Sequence, residues 1–110
     1  MEDCGIIVFC TFSSNEEAKK IAPVLVTKKL AACCTILPRV TSYYSWESKL
    51  EENEETLMII KTSLKNYEQL EKQIKMLHSY SVPEILSVKI EKGSKAYLDW
   101  LFDNTKYGNE

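Results

Sequence analysis

The chain has 110 residues with formal net charge −2, 45% of them hydrophobic and 27% charged. That is the length and composition of one globular domain, able to bury roughly two-thirds of its unfolded surface. Its mild acidity offers no electrostatic footprint for nucleic acid or an anionic membrane, and no segment approaches the roughly 20 apolar residues of a membrane span.

Residues 6–12, IIVFCTF, form an apolar run of strand formers. Ser13 or Ser14 followed three residues later by Glu16 or Glu17 is a capping-box pattern, so a helix is predicted there. Ala18, Ile21, Ala22 and Leu25 recur at helical spacing, and Pro23 is expected to kink the helix. Residues 31–46 read as a long strand. Its even positions, Ala32, Cys34, Ile36, Val40, Tyr44 and Trp46, form an apolar face, and Pro38 predicts an edge position or a bulge. The charged stretch ESKLEENEE, 47–55, reads as a solvated turn, and TLMIIKT, 56–62, as the returning strand.

Asn66 is the predicted cap of a second helix, with Gln69 in the box position and Tyr67, Leu70, Ile74 and Leu77 as its stripe. Pro83 prevents much continuation. Residues 85–91 form a fourth strand. A last helix after Gly93 and Ser94 turns Leu98, Leu101 and Phe102 inward, and 104–110 read as a frayed tail.

The order β-α-β-β-α-β plus a terminal helix predicts an α+β, ferredoxin-like split βαβ sandwich: one domain, four antiparallel strands, two helices on one face. IIVF and LMII are apolar at consecutive positions, so both faces of those strands require burial. Two helices cover only one. Tyr43, Tyr44 and Trp46 are carried toward an end with little helix to cover them. The expected cover is another copy of the chain, with Tyr43, Tyr44 and Trp46 at its interface.

Four cysteines, Cys4, Cys10, Cys33 and Cys34, include no CxxC and read as a reduced set. The start of the chain lacks the basic region of a signal peptide and the arginine-rich character of a transit peptide, so a cytoplasmic location is expected. The lone His78 closes the second helix as a cap, a metal ligand or a base. Cys10 is its candidate thiolate partner or a small buried hydrophobe. Cys33 and Cys34 read as packing residues. Lys61, Tyr80 and Glu84 read as a polar cluster at a substrate or as ion-pairing groups, and Tyr43, Tyr44 and Trp46 as pocket wall or subunit contact. The acidic run Glu51–Glu55 is a solvated tip able to hold a divalent cation loosely. G-x-S-x-G, a phosphate-cradling glycine loop and H-E-x-x-H are all missing. No nucleophile–base–orienter set is visible, so an enzyme is not expected.

LAACCTI at 30–36, TSYYSWESKLEENEE at 41–55, LMIIKT at 57–62, HSYSVPEI at 78–85 and YLDWL at 97–101 together resemble the CutA family, associated with divalent-cation tolerance. The resemblance spans about Ile6 to Leu101. It implies a ferredoxin-like homotrimer, and copper or another divalent cation held through Cys10 and the second of two histidines, His78. The first of that pair is Leu77 here, so one implied ligand is missing. Ser79, Ser81 and Ser48 also depart from the family pattern. Retained Tyr80, Pro83 and Glu84, with Lys61 and Trp46, imply an inter-subunit cleft. Two other roles follow by analogy: a trimeric sensor of a small anionic or nucleotide-like ligand, resembling the PII-type signal proteins, and a scaffold that anchors partner proteins.

Overall fold

A computed structural model describes residues 3–108. The elements in chain order are β1 (Gly5–Phe12), α1 (Asn15–Thr27), β2 (Cys33–Trp46), β3 (Lys49–Ser63), a 3₁₀ turn (Leu64–Asn66), α2 (Tyr67–Leu77), β4 (Ile85–Lys89) and α3 (Lys95–Asp103). The strands form one sheet in the order β2-β3-β1-β4, and every neighbouring pair is antiparallel. This is the predicted ferredoxin-like arrangement, with the terminal helix added.

The period-2 pattern of β1 decides where the core sits. Ile6, Val8, Cys10 and Phe12 are fully buried, and they meet Ala18, Ile21 and Leu25 of α1 and Leu70 and Ile74 of α2. Ser14 caps α1 as predicted, its hydroxyl accepting from the Glu17 amide at 3.1 Å. α1 then runs through Pro23 to Thr27, with the proline ring on its exposed side. The helix stops in a Schellman arrangement: Lys29 is left-handed (φ 61°), the Leu30 amide bonds to the Leu25 carbonyl at 3.0 Å, and Lys29 bonds to Val26 at 3.0 Å.

Four expectations are corrected. The charged stretch 47–55 is not a turn. Trp46 pairs with Lys49, so only Glu47 and Ser48 turn the chain, both left-handed (φ 51° and 64°), and residues 49–55 extend β3. A 14-residue β2 supplies a ladder for a 15-residue partner, and backbone pairing outweighs the weak strand preference of glutamate there.

The even positions of β2 do not share one face. A bulge at Pro38 and Arg39 (φ 61°) shifts the register between Leu37 and Val40. Cys34 and Ile36 pair with the core-facing Ile60 and Met58, whereas Val40, Tyr44 and Trp46 pair with Glu55, Glu51 and Lys49 on the opposite side. One inserted residue reverses every side chain beyond it. The predicted bulge and edge position for Pro38 are both present.

Asn66 stands at the start of α2 but does not cap it with its side chain. Its amide instead donates to the Lys29 carbonyl at 3.1 Å and the Thr105 carbonyl at 2.9 Å. That bond also corrects the frayed tail: Thr105 is buried, and its hydroxyl donates to the Leu101 carbonyl at 2.9 Å. Residues 109 and 110 lie outside the described residues.

The sheet's second face carries Ile7, Phe9, Leu57, Ile59, Leu86 and Val88. α3 reaches its far end, where Tyr97 lies over the Lys61 ammonium at 5.6 Å. Elsewhere this face stays open: Leu86 is 60% exposed and Val88 50%.

Candidate functional site

Beyond the end of β1, the chain from α2 crosses the sheet edge and forms one wall of a cleft. The β2–β3 hairpin forms the other. His78 fixes this crossing. Its ring is buried and stacks on Phe12, with centroids 4.5 Å apart and planes 15° from parallel. Nε2 lies 2.8 Å from the Thr11 carbonyl, and Nδ1 lies 3.0 Å from the Tyr80 amide. A carbonyl only accepts and an amide N–H only donates, so the ring proton is on Nε2 and Nδ1 is the acceptor. Both ring nitrogens are therefore committed.

Glu17 fastens the same crossing from α1. Its carboxylate accepts from the Ser79 amide at 2.7 Å, the Ser79 hydroxyl at 3.0 Å and the Ser13 hydroxyl at 3.1 Å. Burial pushes the Glu17 carboxyl up, but these bonds outweigh it and hold the group below its usual range. Tyr80 is thereby aimed across the end of β1, and its hydroxyl donates to Glu55 Oε2 at 2.8 Å. Burial, followed by that bond, raises the phenol well above its ordinary value, so it remains a donor.

The cleft so formed has a volume of about 790 Å³. Tyr44 and Tyr80 are its aromatic walls, Trp46 and Tyr43 form the outer rim, and Glu51, Glu55 and Glu84 supply its charge. Among the described residues, no lysine, arginine or histidine lines it. Among the described residues, none of the ion pairs involves these three carboxylates.

Of the residues expected at an inter-subunit cleft, Trp46, Tyr80 and Glu84 line this one cavity of the protomer. Pro83 lies half-buried in the same crossing without lining the cleft. Lys61 is not brought there. It is six residues beyond Glu55 on β3, roughly 20 Å along the strand, beneath Tyr97. Glu17 was not anticipated as a site residue, and Glu51 and Glu55 were anticipated only as part of a solvated tip able to hold a divalent cation loosely. Recognising 49–55 as a strand was the missing step: alternation then turns Glu51 and Glu55 to the side of Tyr44.

Cys10 belongs to the helix-covered core, with 0% exposure. Burial, reinforced by Glu84, Glu17 and Glu55, pushes its thiol up to about 12. Burial likewise pushes Cys34 up to about 12. A metal takes a thiolate and a free imidazole lone pair. In this conformation Cys10 supplies neither an ionised nor an accessible sulfur, and His78 has no free nitrogen. Among the described residues no cluster of three or more His, Cys, Asp or Glu side chains is placed to hold a metal ion. The residues implied as copper ligands therefore do not fit a metal centre in the protomer.

The family model described as CutA1 divalent ion tolerance protein matches residues 6–104. The chain is 42% identical over 99 residues to the divalent-cation tolerance protein CutA of Thermus thermophilus, spanning 90% of this chain and 96% of that protein. It is 41% identical over 102 residues to the chloroplastic protein CutA of Arabidopsis thaliana, covering 93% of this chain but only 56% of that longer protein. The solved Thermus thermophilus structure superposes with a TM-score of 0.90 over 92% of this chain and 98% of its own. A structure from Archaeoglobus fulgidus, described as a periplasmic divalent cation tolerance protein, is 38% identical, with a TM-score of 0.89 over 93% of this chain and 99% of that one. The chain belongs to the CutA1 family, and its fold is that of the family's solved members.

Proposed function

We propose that this protein serves divalent-cation tolerance as a non-enzymatic homotrimer that binds a cationic ligand in the cleft between the β2–β3 hairpin and residues 80–84. One observation carries the ligand site: among the described residues, three carboxylates with no ion-pair partner converge on a cavity without a basic lining residue. An anionic or nucleotide-like ligand would meet that same charge, so the sensor reading is retained only for a cation. A binding role is favoured because the sole imidazole has both nitrogens engaged and the Cys10 and Cys34 thiols are held protonated.

The open sheet face supports self-association, since Leu86, Val88, Phe9 and Ile59 form a continuous apolar surface. A cytoplasmic location suits four cysteines that are all free.

Native mass spectrometry of the reduced protein, after brief copper exposure and desalting, tests both parts. The expected species is a trimer whose copper uptake is unaffected by Cys10→Ser. Copper that survives Glu51→Gln/Glu84→Gln but vanishes in Cys10→Ser would return the site to Cys10 and His78. A monomer would remove the trimer from the proposal.

A further inference from the structure

We draw no further inference here: the strongest candidate, the cavity of about 590 Å³ between the start of α1 at Ser13, Ser14 and Asn15 and the β2 bulge at Pro38 and Arg39, is a helix N-terminus walled by the same hairpin that is read as a subunit contact, and nothing in the structure shows what fills or covers it.

Discussion

The two faces of the sheet carry similar side chains and meet opposite fates. On the helix-covered face Ile6, Val8, Met58 and Ile60 are fully enclosed by α1 and α2. On the other face Ile7, Phe9, Leu57 and Ile59 are only half-buried, and Leu86 and Val88 at the β4 edge are more exposed still. Hydrophobicity along a strand thus states how much surface requires cover. It does not state whether the same chain provides it. The first face stabilises the protomer, while the second leaves apolar surface that the protomer does not cover.

The contrast is sharpest at two leucines. Leu70→Ala, on the covered face, should cost about 2–5 kcal/mol in denaturant unfolding, because enclosed α2 cannot collapse onto the void. Leu86→Lys should leave the far-ultraviolet circular dichroism unchanged while disrupting the self-association proposed for this face, read as a lighter species in sedimentation velocity. An unchanged sedimentation coefficient would mean that the open face is not the assembly surface.

Smaller effects probe the hairpin and the crossing. Tyr80→Phe removes the hydroxyl that bonds Glu55 and should cost about 1 kcal/mol of unfolding free energy, the pair being half-exposed. It should also loosen the cleft, read as faster amide exchange across residues 79–84. Ser48 holds φ 64° at a position suited to glycine. Ser48→Gly should therefore stabilise the hairpin by up to about 1 kcal/mol, the relief of left-handed strain less the added chain entropy of glycine. A loss of stability in that variant would show that the serine makes a compensating contact.

The pH dependence comes last. The folded-state carboxyl of Glu17 lies below its ordinary value of 4.5, so it contributes stability above that value. The contribution is lost as pH falls through the lower, folded value. Glu17→Gln should flatten this acid limb of the stability profile, and an unaltered limb would place the titration in another group.

Much of the fold was legible in residue order. The apolar runs of β1 and the end of β3, the Ser14 cap, Leu70 and Ile74 of the α2 stripe and the bulge at Pro38 follow from local chemistry, and the five blocks of family resemblance agree with them; Leu77, expected in that stripe, is 41% exposed at the helix end. The site was less legible. Trp46, Tyr80 and Glu84 were visible as chemistry-bearing groups, but Glu51 and Glu55 were hidden in a charged stretch that looked like a loop. His78 was visible too, yet its role was not. An imidazole near a helix end reads as a ligand until the Thr11 carbonyl and the Tyr80 amide are seen to occupy its two nitrogens.

By itself, the sequence determined the strand and helix order, the family, the ferredoxin-like topology and the surplus of apolar strand surface. These depend on periodicities and caps that act over a few residues. Tertiary structure alone decided which way the hairpin's side chains point, because one inserted residue at Pro38 and Arg39 reverses the pleat. It also decided that Cys10 is core, that Lys61 lies far from the cleft, and that three glutamates from β3 and the 80–84 crossing share one cavity. Those facts depend on register and on packing between distant segments, where a shift of a single residue changes which groups meet.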